Sequence, residues 1–315
     1  MIVLQKKILH FFKIFFDAPV NAYNNIYLNL IGFQLFRYLT HNFLYMIRYN
    51  LKKIDDQFLE YYKQLKNEGI VKIDNFFSAK EFNFVEKVFN QKMKLQDKNQ
   101  NQVTGINWTN LNFDKYTKDE DLKKIYDLFV NNELINQLIC TSLKVKRIGN
   151  PIIGFQVIEN PENNIDNKDR ETLIHSDRFY PCFKLFLTLN ENSVKNGAYK
   201  YYKYSHLFSL GRLFHEYDFS IRQSFLNKGF NLKHNIELNR CLPKKFYVQK
   251  ILKNLNNITS KENTLVISNN KGFHQRGIME SSTTRKQIRI VFYYLQRPFY
   301  YSFFKRIYNY FILGK

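Results

Sequence analysis

Cysteine is scarce in this chain: Cys140, Cys182 and Cys241 are the only three in 315 residues. An odd number of widely separated cysteines gives neither a disulfide framework nor a CxxC zinc or redox pair, and it fits a reduced, cytoplasmic setting. Long apolar runs are missing too. Near the start, Lys6, Lys7, His10 and Lys13 interrupt anything like the apolar centre of an export signal, so export is not expected. Residues 18–36 carry no charge, yet Asn21, Asn24, Asn25, Asn29 and Gln34 make them too polar for a comfortable membrane span. Gly/Ser-rich linkers and internal repeats are also absent, which argues against a modular array and for one full-sized core. Acidic residues are outnumbered, 27 Asp and Glu against 48 Lys and Arg, for a formal net charge of +21. That imbalance favours polyanions, namely phosphate-bearing substrates, nucleic acid or an anionic membrane face, without choosing among them.

What is present divides the chain into three. In the opening segment Leu4, Ile8, Phe11, Phe12 and Phe15 recur at helical spacing with Lys6, His10, Lys13 and Asp17 opposite, the pattern of a basic amphipathic helix. Residues 35–49 mix aromatics with Arg37 and Arg48, as helices lying in a membrane interface do; a packed helical cap fits the same residues. The carboxy-terminal residues 297–315 repeat the mixture around Lys305 and Arg306. The expected division is therefore a basic helical segment over 1–55 that can associate with a membrane, a folded domain over 56–296, and a basic aromatic tail over 297–315.

Within the central domain, 57–67 and 79–95 carry helical periodicity around a short strand, Gly69–Ile73, and Ser78 suits the amino-terminal cap of the second helix. Strand signals come next at Ile152–Ile158, Cys182–Leu189, Tyr199–Tyr204, Thr264–Ser268 and Gln287–Leu295, all rich in β-branched and aromatic residues. Polar, Asn-rich loops such as Asn160–Lys168 separate them. Strands of this kind without linkers point to one sandwich or barrel.

His175-Ser176-Asp177 lies between a loop and a strand, and an extended backbone would put the imidazole and the carboxylate on one face. Two ligands there and a third histidine from a distant strand make a facial triad, which leaves half of an octahedral metal open. His206, His215, His234 and His274 are the downstream candidates. His274 is preferred, because it comes after the apolar strand 264–268 and precedes a second strand carrying Arg285. A guanidinium pairs bidentately with a carboxylate and stays charged, so Arg285 suits the distal carboxylate of a 2-oxoacid. Arg289 shares its face about 13 Å along an extended strand, too far for the same carboxylate and placed to meet a substrate.

At these residues the sequence resembles the phytanoyl-CoA dioxygenase family of Fe(II)- and 2-oxoglutarate-dependent oxygenases. His175-Ser176-Asp177 matches the family's HxD. Asn196-Gly197-Ala198 followed by Ser205-His206 is similar to its "NGA…PGSH" stretch, and His274 with Arg285 eleven positions later matches its distal histidine and arginine. The resemblance also takes in Gly69-Ile70-Val71 and covers roughly residues 65–297. It departs where Lys203-Tyr204 replace Pro-Gly, so that turn must be built differently.

The resemblance implies an α+β chain with a mainly β core, a double-stranded β-helix (jelly roll, cupin-like) with flanking helices. It implies a dioxygenase with Fe(II) on His175, Asp177 and His274, 2-oxoglutarate on Arg285 with Phe186 beside it, O2 as oxidant, and His206 in a structural role. Asp177 stands where related halogenases have a small residue, so hydroxylation of an unactivated C–H bond is the expected outcome. Net charge, Arg276 beside His274 and the basic aromatic ends favour a small or lipid-like anionic substrate and an anionic membrane surface. A cytoplasmic protein peripheral to the membrane is the expected location. Two other classes remain: a catalytically silent β-helix protein that binds a membrane or partner, and a nucleic-acid binder, disfavoured because no such motif appears and the aromatics cluster at the ends.

Overall fold

A computed structural model describes residues 25–47, 53–96, 99–100, 106–146, 148–161, 170–227 and 255–292. The opening amphipathic segment, the Asn-rich loop at 162–169, His234, Cys241 and the tail 297–315 lie outside the described residues, so the expectations placed on them stay expectations.

Two strand sets face each other. The larger sheet contains β1 (Ile70–Ile73), β2 (Asn99–Gln100), β3 (Asn107–Phe113), β4 (Ile152–Asn160), β5 (Phe183–Thr188), β8 (Thr264–Asn269) and β10 (Thr283–Val291), in the order β1-β8-β5-β10-β4-β3-β2 and antiparallel throughout. The smaller contains β6 (Tyr199–Tyr202), β7 (Leu255–Ile258) and β9 (His274–Arg276), in the order β7-β6-β9, and a single bridge from His274 to His175 extends it by one position. From β4 onward the chain passes from the large sheet to the His175 bridge, back to β5, across to β6 and β7, back to β8, across to β9 and back to β10. That alternation winds two sheets into one double-stranded β-helix, the jelly roll. The fold is therefore the α+β jelly roll expected from the sequence. His175-Ser176-Asp177 is not a regular strand, however, and β10 begins at Thr283, ahead of the predicted start.

The main apolar core lies behind the large sheet, with a small cluster of Ile70, Tyr201 and Val266 between the sheets. Period-two alternation sends Phe183, Leu185 and Leu187 of β5 and Ile288 and Ile290 of β10 to the outer face. There they meet α3 (Leu59–Glu68), α4 (Ala79–Met93), α5 (Glu120–Val130) and α6 (Glu133–Leu143). The stripe Phe82, Val85, Phe89 and Met93 holds α4 to the sheet, and Ser78 opens that helix with a full capping box to Glu81, as its sequence predicts. The opposite face of the same strands carries Lys184, Phe186, Thr188, Arg285, Gln287 and Arg289, which line a cavity.

A second helical layer covers another part of the molecule: α1 (Ile26–Leu30) and α2 (Phe33–Ile47) pack on α7 (Leu210–Asn227). Residues 26–47 thus form a packed cap. Among the described residues no helix is long and apolar enough to cross a membrane. Cys140 and Cys182 are both buried.

Candidate metal centre and anion pocket

The bridge between His175 and His274 is the seed of the site. His175 N–H donates to the carbonyl of His274 at 3.0 Å, and His274 N–H returns the bond at 2.8 Å. Asp177 N–H donates to the carbonyl of Asn270 at 2.9 Å, fixing the acid two residues on. The imidazoles come to 4.5 Å between ring centroids. One ligand atom each from His175, Asp177 and His274 lies within 4.8 Å of the others, and this is the only group of its kind among the described residues.

Each histidine is oriented in the same way. Nδ1 of His175 lies 2.7 Å from the carbonyl of Leu173, and Nδ1 of His274 lies 3.0 Å from that of Gly272. A carbonyl accepts only, so Nδ1 carries the proton in both rings and each Nε2 keeps its lone pair for a metal. Burial, helped by the neighbouring His175, lowers the His274 pKa to about 3, so that ring stays neutral.

The carboxylate is oriented as well. Lys184 Nζ stands 2.7 Å from Asp177 Oδ2, and Asn270 Nδ2 donates to the same oxygen at 2.8 Å. Oδ1 is left facing the imidazole pair, 3.7 Å from His274 Nε2. Burial alone would raise the Asp177 pKa; the Lys184 ammonium, which also donates to it, overcomes this and holds the acid well below its usual range. Asn270 Nδ2 also reaches His274 Nε2 at 3.1 Å, while Ser268 Oγ donates to Asn270 Oδ1 at 2.7 Å and sets the amide's direction. A metal on His274 Nε2 would take that lone pair and leave Asn270 its bond to Asp177.

From this end a cavity of about 370 Å³ runs between the sheets, within the range of small-molecule pockets, roughly 300–1,000 Å³. Lys184, Arg276, Arg285 and Arg289 line it against one lining carboxylate, Glu171. Arg285 is buried; one Nη donates to the carbonyl of Gly197, and its Nε has no hydrogen-bond partner among the described residues. Burial and the nearby Arg276 cation together bring the Arg285 pKa down to about 9. Arg276 is buried too, its guanidinium 5.8 Å from the Trp108 ring centroid. Two buried cations at one end of a polar cavity, with Glu171 also in the lining, make that end electropositive.

No family model matches the chain, so the likeness read from the HxD and His…Arg motifs remains a likeness of motifs. No curated protein matches it either. Among solved structures it is similar to the apoform of EctD from S. alaskensis, at 13% identity and TM-score 0.49 over 77% of this chain and 78% of that one. It is similar to the non-heme alpha ketoglutarate dependent epimerase SnoN from nogalamycin biosynthesis, at 9% identity and TM-score 0.45 over 75% and 81%. A third is a Pseudomonas putida prolyl-4-hydroxylase, at 10% identity and TM-score 0.44 over 75% and 97%. Likenesses this remote leave the chemistry to be decided by the strand order and by the side chains of the site.

Of the residues singled out from sequence, His175, Asp177 and His274 converge, and His274, Arg285, Phe186 and Arg289 line the cavity. Phe186 stacks near Tyr199, with ring centroids 5.4 Å apart, and Tyr199 in turn lies 5.5 Å from His274. His206 is elsewhere: its Nε2 meets the Lys66 carbonyl at 3.0 Å, and a side chain on Gly69 would collide with its Nδ1. Gly197 has φ +75, and a Cβ there would meet Met279 at 2.6 Å, which accounts for the glycine in Asn196-Gly197-Ala198. Tyr204 adopts φ +67, so the departure from Pro-Gly keeps a left-handed turn and builds it with tyrosine.

Lys184, Tyr199 and Asn270 were not legible as site residues. Arg212 was not either. On α7 it donates to Ser176 Oγ at 2.9 Å, to the Arg178 carbonyl at 2.9 Å and to the Lys271 carbonyl at 2.7 Å, clasping the chain on both sides of Asp177. Glu216 neutralises it at 3.0 Å, with both side chains buried. The only sequence signal for this pair is its i, i+4 spacing.

Proposed function

We propose that the chain is a non-haem Fe(II)- and 2-oxoglutarate-dependent dioxygenase that hydroxylates a C–H bond of an anionic substrate. The observation that carries the reading is a two-histidine, one-carboxylate face whose His274 lines the same cavity as the buried guanidinium of Arg285. The donor set fits the group: two imidazoles and a carboxylate on one face suit Fe(II) and leave positions for a chelating 2-oxoacid and O2.

His175 Nε2, Asp177 Oδ1 and His274 Nε2 would hold the metal, and Arg285 the distal carboxylate of 2-oxoglutarate. When bound, iron and 2-oxoglutarate supply the oxidising power that activates O2 against an unactivated C–H bond. The protein's own part is positional. The Leu173 and Gly272 carbonyls keep both imidazoles in the metal-binding tautomer, and Lys184 with Asn270 keeps one oxygen of Asp177 occupied so that the other is presented alone. Phe186 and Tyr199 wall the cavity with aromatic surface against water. Arg289 supplies the counter-charge for the substrate, one β10 step of four residues from Arg285. Asp177 fills the third ligand position, which favours hydroxylation over halogenation.

The deciding measurement is anaerobic addition of Fe(II) and 2-oxoglutarate, read by the weak metal-to-ligand charge-transfer band. Wild type gives the band and Asp177→Ala does not. Arg285→Ala keeps metal binding and loses roughly a hundredfold in 2-oxoglutarate affinity, the worth of a buried bidentate charge pair. A wild type with no band leaves a silent jelly-roll protein in its place.

A further inference from the structure

The cap formed by α1, α2 and α7 buries many polar side chains and exposes apolar ones. Asn29, Gln34, Arg37 and His41 of the first two helices and Glu216 and Ser224 of α7 are buried, beside Phe33, Tyr38 and Phe219. Asn29 Nδ2 donates to Ser224 Oγ at 2.7 Å, and Gln34 Nε2 to Glu216 Oε2 at 3.1 Å. The cap's outward side is apolar. Along α2 the exposed residues are Phe36 (61%), Leu39, Phe43, Met46 (66%) and Ile47, spaced three and four apart on one stripe without a charge. The turn before α2 adds Ile31 at 82% exposure, and α7 adds Leu210 and Phe214. A globular protein in water normally buries side chains like these, and apolar patches of such extent mark interaction surfaces.

The charge around the stripe says what covers it. Residues 18–54 contain no acidic side chain, and beyond Ile47 the chain continues through Arg48, Lys52 and Lys53. Lys144 packs at the carboxy-terminal end of α2, its Nζ donating to the Tyr45 carbonyl at 2.9 Å, with exposed Lys146 beyond it. An apolar helical stripe bordered by cations, on a chain of net charge +21, complements a bilayer surface that carries anionic headgroups. We infer that the outward face of α2, extended by Ile31, is a membrane-docking surface for anionic lipid, with Phe36, Phe43 and Met46 entering the headgroup layer. The inference rests on the cap alone and is independent of the iron chemistry.

The test is flotation of the full chain with vesicles of phosphatidylcholine, and of phosphatidylcholine with phosphatidylglycerol, at physiological salt. The wild type floats with the anionic vesicles at least about tenfold better than with the neutral ones. The triple variant Phe36→Ser, Phe43→Ser, Met46→Ser loses about tenfold or more of that binding, while its melting temperature and any charge-transfer band stay near wild-type values because each of these side chains is more than half exposed. Wild-type protein that stays down with both vesicles overturns the inference, and so does a triple variant that floats as well as wild type. A wild-type dimer that the triple variant converts to monomer, with no lipid binding, also overturns it and assigns the face to a second copy of the chain.

Discussion

The molecule carries two helical layers built on opposite rules. Behind the large sheet, α4, α5 and α6 bury apolar stripes such as Leu122, Ile125, Tyr126 and Phe129, and they turn charge to solvent. In the cap, α1, α2 and α7 bury amides and an ion pair beside Phe33, Tyr38 and Phe219, and turn Phe36, Phe43 and Phe214 outward. The first layer supplies the large hydrophobic term that holds the jelly roll together. The second adds less apolar burial but runs, through Glu216 and Arg212, to the Ser176 hydroxyl and the Arg178 carbonyl on either side of Asp177. Helix formation is thus decoupled from what a helix is for: one layer stabilises, the other positions.

The contrast can be broken from either side. Phe155→Ala, which removes a fully buried ring between Phe89 and Phe113, should cost about 3–5 kcal/mol of stability by chemical denaturation. Metal affinity in whatever remains folded should stay near wild type. Glu216→Ala strands the buried Arg212 and should cost about 3 kcal/mol. Unlike the ring deletion, it should weaken metal binding as well, because the clasp on Ser176 and Arg178 loosens. A loss under about 1 kcal/mol would mean that the pair is not buried from water and the comparison fails.

A pH series sharpens the difference further. Burial, with Arg212 adding to it, depresses the Lys271 pKa to about 7 from the 10.5 of a free lysine. Between those values the unfolded chain holds a proton that the folded chain lacks, so stability rises with pH from about 7 upward and is flat below. The slope in that window is at most about 1.4 kcal/mol per pH unit. Lys271→Met should remove it, as the difference between two melting curves taken across neutral to alkaline pH. The smallest effect is expected at Tyr204→Gly, which relieves the left-handed backbone at φ +67 and should raise stability by about 0.5 kcal/mol, the steric gain partly offset by a looser unfolded chain.

The same rules decide how legible each layer was. The strands β1, β4, β5, β6 and β8 and helix α4 could be read directly, since their buried faces are apolar and period or capping betrays them. The metal triad and Arg285 could be read because ligand chemistry tolerates few residue types. Helices α5 and α6 are missing from the expected elements although their stripes have helical spacing. The cap was legible only in part: aromatics at helical spacing mark α2, but the spacing does not say which side faces in, and here polar contacts 180 or more residues apart decide it. β7, with Leu255-Asn256-Asn257-Ile258, and β9, three residues long, have too little pattern to announce themselves. Lys184 and Asn270 join the site through register and turn geometry, which exist only once β5 and β8 are paired.

Because the apolar core sits on the outer face of β5 and β10, the residues that shape the cavity are nearly spectators to folding. Phe186, Gln287 and Arg289 alternate with Leu185, Leu187, Ile288 and Ile290 on the same strands, yet only the second set is packed against helices. Cavity lining and core packing are therefore written on separate faces of one ribbon, so replacements at the first set can reshape the cavity while the second keeps the molecule standing.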